Sequence, residues 1–452
     1  MPFTSFAVSE QAFNDWYRNT SNVSHRILLI EAYHTGGIVR MSDRGYIAND
    51  INAPFPAWLL HDGLPEFTRR IEKPISVSEF KAVCDVRDWR GYSFDNQPCK
   101  IYFGDDRWDF SFFKQIANLT IDSVSYNAGV YSFRLTEGRE AKIELLQDVS
   151  EGERKMKVYG RLTHVKPQLV DAFTLDYRFH DGNFNGNITV YDIGLDVTGH
   201  VTRTQGNYKY NAGHNPAGAQ LVDVDSNTKK LEDVVNQINT EYSLNGVDVS
   251  SLAQWKKDAV IGFAVRGTET ASEILDKIAR SVGVFLVRKP EGGWMFIDAT
   301  PVVNILRIND DNSTADISVS NVLKPVSKVI VNYGGNVDVL SDSNLAISLT
   351  AEQRAEFTSG KKTVEKVTGA VGDVLEINTV LQNQADAQAL ADMIALRRAT
   401  KRVTYEFGID DLGHMIIPGM PVSVNRSDLS GNFIVSSIKS RTDTSIHNIE
   451  VF

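Results

Sequence analysis

Alternating hydrophobic and polar positions dominate the first third of the chain. In Val130–Leu135 the even positions (Val, Ser, Arg) share one face of an extended segment, and the odd positions (Tyr, Phe, Leu) share the other. A Gly-Gly turn at Thr35–Gly37 separates two β-rich runs, Ile27–Tyr33 and Ile38–Met41, as in a hairpin. The pattern predicts an antiparallel β domain that ends at a polar, turn-prone break, Ser150–Glu153.

Helical spacing of apolar residues begins near Asn227. Residues 231–238 repeat apolar side chains at intervals of three and four, and Thr270–Glu273 and Thr350–Gln353 have the capping-box pattern. The longest predicted helix is Gln384–Arg398. On or near one of its faces lie Leu390, Met393, Ile394 and Arg397.

The order of these elements predicts a mainly β fold with α+β insertions, in which short helices pack on antiparallel, barrel-like or tube-like sheets. The middle of the chain is rich in Gly, Asn and Asp, which predicts long loops between short strands. Five consecutive segments are expected: an N-terminal arm (1–25), an antiparallel β domain (26–150), a β region with Asn/Gly-rich loops (151–226), an α+β helix-hairpin domain (227–325) and a C-terminal tube-like β-barrel domain with one long helix (326–452).

Composition and charge exclude several classes of protein. The 452 residues include 47 Lys and Arg and 57 Asp and Glu, which gives a net charge of −10. Proteins that bind nucleic acid usually carry a basic stripe, so this charge argues against a nucleic-acid-binding protein. The densest basic cluster, Arg397–Arg402, lies at the end of the predicted helix, where cations complement the helix dipole.

The only two cysteines, Cys84 and Cys99, exclude a disulfide scaffold and a four-thiolate metal site, and free thiols are expected. The apolar runs are far too short to span a bilayer, and the N-terminus does not have the pattern of a secretory signal.

Candidate chemistry is sparse. The nucleophile elbow, the phosphate-binding loop and the zinc-protease motif are absent from the sequence. His164 and His180 are weak candidates for an acid/base pair, and Asp223–Asn227 starts like a calcium loop but lacks the glycine and closing glutamate that such a loop needs. Paired carboxylates such as Asp105 and Asp106 suit turns between strands. We therefore predict no catalytic residue, no cofactor and no metal ion.

Two stretches contain short segments in an order that is typical of one known family. The first, residues 27–149, contains Leu28–Glu31, Arg40–Tyr46, Pro54–Ala57, Trp89–Gly91 and Ile101–Trp108. The second, residues 263–452, contains Glu273–Ala279, Gly283–Phe285, Gly293–Phe296, Ala389–Met393, Met415–Val424 and Gly431–Val435. Both resemble the tail hub (tail-tip or baseplate hub) proteins of siphophage-type tailed bacteriophages, the second stretch their helix-hairpin unit and closing barrel. Some relatives carry a cysteine-rich iron–sulfur tail, for which two cysteines cannot supply the ligands.

The resemblance implies a mechanical role. Hub proteins form a ring, usually a trimer, that joins the sixfold tail tube to the threefold tip and lines the DNA exit channel. The implied partners are further copies of the chain, the distal tail or tail tube protein, central tip or fibre proteins and the tape-measure protein. DNA would pass through the ring without specific binding. The implied location is the virion tail tip or baseplate, after assembly in the host cytoplasm, and no enzymatic activity is expected.

Two other functions remain open from the residues: a tail-associated cell-wall hydrolase, and a receptor- or glycan-binding tail protein that uses the loops between Asp181 and Gly218. Under the hub hypothesis, lateral contacts are expected on the long helix and the strands beside it, and contacts to neighbouring tail proteins on the loops. The expected interface residues are Leu390, Met393, Ile394, Arg397, Asn183, Asn185, Tyr208 and Tyr210.

Overall fold

The computed structural model describes residues 16, 24–71, 73–77, 79–84, 88–136, 143–146, 156–289, 291–298, 306–410, 416–441 and 446–452. The chain forms two compact units, each built from separate stretches of sequence. Unit 1 comprises Met1–Ala141, Phe285–Val322 and Val403–Phe452, and unit 2 comprises Lys142–Val284 and Leu323–Arg402. The break expected at Ser150–Glu153 and most of the expected N-terminal arm lie outside the described residues.

The first stretch of unit 1 consists of strands. They are β1 (Arg26–His34), β2 (Gly37–Ser42), β3 (Tyr46–Ala48), β4 (Ala53–Phe55), β5 (Glu66–Arg70), β6 (Lys73–Val77), β7 (Phe80–Val83), β8 (Pro98–Asp105), β9 (Lys114–Asn127) and β10 (Val130–Thr136). Six of them form an antiparallel sheet in the order β2-β1-β8-β9-β10-β7. Its core is aromatic: Phe133 stacks on Phe80 with ring centroids 4.6 Å apart, and Trp89 packs on Phe133 and Tyr131.

A β-bulge between β8 and β9 explains one buried charge. Ile101 pairs with Ala117 and the next residue of β8 pairs with Gln115, so Ile116 has no partner in the ladder. The guanidinium of Arg69 donates from Nη2 to the Ile116 carbonyl oxygen at 2.6 Å. Burial lowers the pKa of Arg69 to about 10, which still leaves the group charged at neutral pH.

Unit 2 begins with a mixture of strands and short helices. They are β11 (Lys157–Val165), β12 (Gln168–Asp171), β13 (Asp176–Arg178), β14 (Gly186–Asp192), β15 (Leu195–Asp196), β16 (Val201–Thr204), β17 (Asn207–Tyr210), β18 (Gln220–Ser226), α1 (Leu231–Tyr242), β19 (Val247–Asp248), α2 (Gln254–Lys257), β20 (Gly262–Val265) and α3 (Ala271–Ser281). Two sheets result, one in the order β15-β14-β18-β11-β20 and one in the order β12-β13-β17-β16. A Cβ atom added at Gly160, whose φ is +72°, would lie 1.9 Å from the carbonyl oxygen of Ile261, so the close pairing of β11 and β20 requires glycine there.

The remaining elements alternate between the units. Those of unit 1 are β21 (Phe285–Arg288), β22 (Trp294–Ile297), β23 (Leu306–Asn309), β24 (Ser313–Leu323, whose last residue is assigned to unit 2), β28 (Arg402–Asp410, whose first residue is assigned to unit 2), β29 (Pro421–Asn425), β30 (Ser430–Arg441) and β31 (Ile446–Val451). Those of unit 2 are β25 (Val326–Tyr333), α4 (Ala351–Thr358), β26 (Lys362–Val367), β27 (Asp373–Asn378) and α5 (Gln384–Arg398). Both predicted capping boxes form, at Thr270 before α3 and at Thr350 before α4.

The second large sheet of unit 1 is curled. Its strand order is β23-β29-β30-β31-β28-β24, and the hairpin β5-β6 adds to β30 beyond β29. The two outermost strands, β23 and β24, are joined by only three residues, 310–312. Since so short a connection cannot cross a flat sheet, the sheet must curl to bring its outer strands together.

The predicted fold class is confirmed: the protein is mainly β, with several antiparallel sheets, a curled half-barrel and few short helices. The grouping of elements differs from the consecutive segments expected from the sequence. The helix Gln384–Arg398 belongs to unit 2, whereas the closing strands that follow it belong to unit 1.

Candidate interaction surfaces

The four loop residues that the sequence predicted as contacts differ in their exposure to solvent. Asn183 and Asn185 are exposed, and the Asn185 side chain accepts a hydrogen bond from Nδ2 of Asn227 at 2.9 Å. Tyr208 and Tyr210 lie on the inward face of β17 and are buried in the core of unit 2, where Tyr208 stacks on Tyr177. The two tyrosines alternate with exposed positions, so their periodicity indicated a strand core rather than a contact loop.

Helix α5 uses its apolar face within its own unit. Leu390 has no exposed surface, and the helix packs on β25 and β26. A Cβ atom at Gly283 would lie 3.0 Å from the Leu390 side chain and 2.2 Å from that of Met393, so this glycine makes room for the helix. Leu390 is therefore covered within unit 2, and the side chain expected at an interface has no exposed surface in the single chain. Met393 and Ile394 are half-buried, and Leu396, which the sequence reasoning passed over, is 81% exposed.

The basic cluster at the end of α5 binds backbone carbonyl oxygens. Arg397 donates to the carbonyl oxygen of Gly283 at 3.2 Å, and Arg398 donates to that of Lys324 at 3.1 Å. The Nε of Arg402 donates to the carbonyl oxygen of Arg397 at 2.8 Å. Only the Arg402 bond reaches a carbonyl at the C-terminus of α5 itself, whereas Arg397 and Arg398 bind carbonyls outside that helix.

Strand β24 is an exposed sheet edge that the sequence did not reveal. It pairs only with β28 among the described strands, and its residues 318–323 are exposed. Ile317 packs against the core of the curled sheet, and Val319 and Leu323 follow on the same side of the strand, beyond that core. The strand contains no lysine and no proline, the residues that commonly protect an edge from pairing. An edge of this kind favours addition of a further strand.

A cavity of about 640 Å³ in unit 2 lies between the five-stranded sheet and α4, and is lined by His164, Asp223, Tyr191 and Glu356 among others. The His164 ring stacks on Phe357, and its Nε2 is 3.9 Å from Oδ1 of Asp223, beyond hydrogen-bonding distance. Burial lowers the pKa of His164 and raises that of Asp223. Oδ1 of Asp223 instead accepts a hydrogen bond from the backbone N–H of His164 at 2.7 Å.

His180, the other histidine singled out in the sequence, is also buried. Its Nδ1 accepts a hydrogen bond from the backbone N–H of Val158 at 3.1 Å, and burial lowers its pKa. The flanking Lys157 Nζ binds Glu241 and the Tyr242 hydroxyl, and Tyr159 donates to Oε2 of Glu241 at 3.1 Å. The polar groups of this network are occupied by one another, which indicates a structural role.

One group of potential metal ligands occurs among the described residues: His25, Asp105 and Asp106. Both carboxylate oxygens of Asp105 already accept hydrogen bonds, from Arg107 and from Nε1 of Trp16, and Nδ1 of His25 is 3.0 Å from Asp106. This group is an ion-pair network, and it does not present a free carboxylate cage to a cation. None of the described helices is long and apolar enough to cross a membrane.

No protein-family model matches this chain, and no curated protein matches it. Several solved structures are similar. The 43 kDa tail protein of prophage MuSo2 from Shewanella oneidensis is 12% identical, with 94% of this chain and 98% of that chain covered and a TM-score of 0.46. The tail protein from Neisseria meningitidis MC58 is 10% identical, with 90% and 94% covered and a TM-score of 0.46. The prophage tail protein gp18 from Listeria monocytogenes EGD-e is 9% identical, with 94% of each chain covered and a TM-score of 0.43. All three scores are below 0.5, so these likenesses do not by themselves establish a function.

Proposed function

We propose that this chain is a structural protein of a bacteriophage-type tail, whose copies join side by side into a closed ring at the tail tip. The observation that carries the proposal is the exposed far part of β24, residues 318–323, beyond the end that the short turn joins to β23; it pairs with no second strand among the described residues and presents apolar side chains on the core side of a curled sheet. A second chain that pairs with this edge would complete the sheet and cover Val319 and Leu323. The order of hub-like segments along the sequence supports the same role.

In its finer form the proposal is a trimeric hub that connects a sixfold tail tube to a threefold tip and lines the channel through which DNA leaves. Its neighbours would be the distal tail or tube protein, central tip or fibre proteins and the tape-measure protein. The net charge of −10 supports passage of DNA without binding, because a surface of the same sign repels the phosphates.

The proposal is tested with the purified full chain by mass photometry and negative-stain microscopy. We expect closed rings, of three copies in the finer form. Val319→Lys combined with Val322→Lys places two charges on the β24 edge and should abolish the rings while leaving the monomer folded. Ile347→Lys is the matched control, because Ile347 is 95% exposed and lies outside this strand. A wild-type protein that stays monomeric at every concentration and in tail lysates would contradict the proposal.

The same preparation separates the alternatives. A cell-wall hydrolase would clear peptidoglycan in a zymogram, and a glycan-binding protein would bind a glycan array as an isolated monomer. The structural proposal predicts neither result.

A further inference from the structure

A completely exposed aromatic side chain stands at the tip of the hairpin β12-β13 in unit 2. Phe173 is 100% exposed, and Leu169 and Val170 on the adjoining strand are 47% and 36% exposed. Water-exposed phenylalanine at a hairpin tip is unfavourable for an isolated protein, so this feature requires an explanation outside the hairpin's own packing.

The turn holds this side chain outward. Oδ1 of Asp171 accepts a hydrogen bond from the backbone N–H of Phe173 at 2.8 Å, and Oδ2 accepts one from the Thr174 hydroxyl at 2.8 Å. The next residue, Leu175, has a φ of +50° and packs against the core of unit 2. The turn is therefore fixed on both sides of Phe173, and little conformational entropy would be lost if the ring were buried by a partner.

The hairpin carries no basic excess. Between Gln168 and Arg178 its charged residues are Asp171, Asp176 and Arg178, a net charge of −1, and the Asp171 carboxylate is already bonded within the turn. A site that inserts into an anionic membrane normally adds basic residues to its apolar ones. The hairpin lacks that excess, which favours a protein pocket as the occupant.

Unit 1 presents a concave site with matching chemistry. An open pocket of about 580 Å³ is lined by Tyr46, Ile47, Pro54, Phe55 and Pro56, together with Gly45 and Asp106. Ile47 is 66% exposed at its rim, and Phe55 is fully buried.

The pocket is held by its own hydrogen bonds. The Tyr46 hydroxyl donates to the carbonyl oxygen of Trp108 at 2.7 Å. Asp106, the charged residue of the lining, is 3.0 Å from Nδ1 of His25, so an apolar ring would not leave this carboxylate without a partner.

We propose that Phe173 of one copy inserts into the Tyr46–Ile47–Pro54–Pro56 pocket of the next copy. The inference rests on the proposed ring, to which it adds a specific contact. The apolar tip is too small to hold two chains together alone, so it would act as an anchor within a larger interface. Because the tip and the pocket are different surfaces, the contact is heterologous, and each copy would use its tip toward one neighbour and its pocket toward the other.

Two substitutions on exposed side chains test the contact without disturbing a core. Phe173→Asp removes the tip, and Ile47→Asp places a charge at the rim of the pocket. Each should weaken self-association on the order of 30-fold, as expected for the loss of one buried aromatic anchor. Ile347→Asp, at another exposed apolar position, should assemble as the wild type does.

Mixing the two variants gives the decisive result. At a concentration where wild type forms rings and each variant alone is monomeric, the mixture should form one-to-one dimers, because only the tip of the Ile47→Asp chain and the pocket of the Phe173→Asp chain remain intact.

Three other outcomes would contradict a part of the proposal. If wild type and Phe173→Asp both form rings equally well, the contact is wrong but the proposed ring is not. Wild-type monomers at all concentrations would instead overturn the proposed function. Flotation of the wild type, and not of Phe173→Asp, with vesicles of anionic phospholipid would overturn the contact in favour of a membrane.

Discussion

The two units bury different kinds of ionisable group. Among the described residues, unit 1 buries carboxylates (Glu31, Asp105, Asp298) and guanidiniums (Arg69, Arg288). Glu31 binds Arg40 at 2.9 Å, Asp105 binds Arg107, and Arg69 binds a backbone carbonyl oxygen. Unit 2 buries Asp192 and Lys256, and in addition two imidazoles, His164 and His180. Carboxylates and guanidiniums keep their charge across the neutral range, whereas imidazoles titrate close to it. The two units should therefore respond to acid at different pH values.

The largest expected effect tests whether the units unfold separately. Phe133→Ala removes a ring that is fully buried between Phe80, Phe94 and Trp89. We expect a loss of about 3–5 kcal/mol from the free energy of unfolding of unit 1, because the cavity cannot be refilled. Hydrogen exchange followed by mass spectrometry should show lost protection in residues 88–136 and retained protection in residues 156–284.

Phe173→Ala is the matched control for this substitution, since it deletes the same ring from a fully exposed site and should change the stability of the monomer by less than about 0.5 kcal/mol. Equal loss of protection in both units after Phe133→Ala would show that they unfold as one, and the comparison between them would then fail.

An acid titration should unfold unit 2 first. An unfolded imidazole has a pKa near 6.5, and burial lowers the pKa of His164 and His180 in the folded protein. Below about pH 6.5 the unfolded chain therefore binds more protons, and the free energy of unfolding falls by up to about 1.4 kcal/mol per pH unit for each histidine. Protonation of His180 also removes the acceptor for the Val158 N–H. The raised pKa of Asp223 acts in the opposite direction, because the folded state retains that proton more readily.

Unit 1 should hold to lower pH. Burial disfavours the charged form of Asp105, but hydrogen bonds from Arg107 and Trp16 outweigh burial and keep its pKa below the ordinary value. Its contribution to stability is thus present above about pH 4 and is lost only as the pH falls further. Hydrogen exchange at successive pH values measures the order in which the two units lose protection. The double variant His164→Asn and His180→Gln should flatten the response of unit 2, and simultaneous loss of protection in both units would refute the assignment.

A smaller effect is expected in the polar network of unit 2. Tyr159→Phe removes a buried hydroxyl that binds Oε2 of Glu241 and lies 3.1 Å from the Tyr242 hydroxyl. Lys157 continues to bind Glu241, so the carboxylate keeps a partner and the loss should be about 1 kcal/mol. Chemical denaturation measures it, with Tyr126→Phe, at a half-exposed tyrosine, as a control that should change little. A loss similar to that of Phe133→Ala would mean that the network is as critical to unit 2 as the aromatic core is to unit 1.

The pattern of apolar and polar residues predicted individual strands and helices well, but it predicted poorly which of them pack together. The alternation in Val130–Leu135 became β10, and the capping boxes at Thr270 and Thr350 start real helices, because hydrogen bonds within a few residues decide those features. Which elements belong to each unit could not be predicted in this way, since the strands of one unit come from distant stretches of the chain. The burial of Tyr208 and Tyr210 was not predicted, because the composition of their segment obscured a two-residue period, and that of Leu390 was not predicted because a helical stripe does not show which surface covers it.

The β24 edge and the Phe173 tip, the two surfaces proposed for contacts, differ in how well the sequence alone indicates them. An edge strand has the same composition as a central one, so β24 was recognisable only after its neighbours were known. Phe173, by contrast, lies two residues after Asp171 and directly before Thr174, residue types that favour turns, and a large aromatic at a turn is a signal that the sequence alone contains.

The position of β31 affects how the protein is made. This strand, Ile446–Val451, lies between β30 and β28 in the middle of the curled sheet, although it is synthesised after every strand that it joins. At translation rates of about 5–20 residues per second, β28 waits for seconds on the ribosome with an apolar edge that nothing yet pairs. The curled sheet thus cannot close until β31 has been synthesised, and until then this edge of β28 is open to pairing between nascent copies.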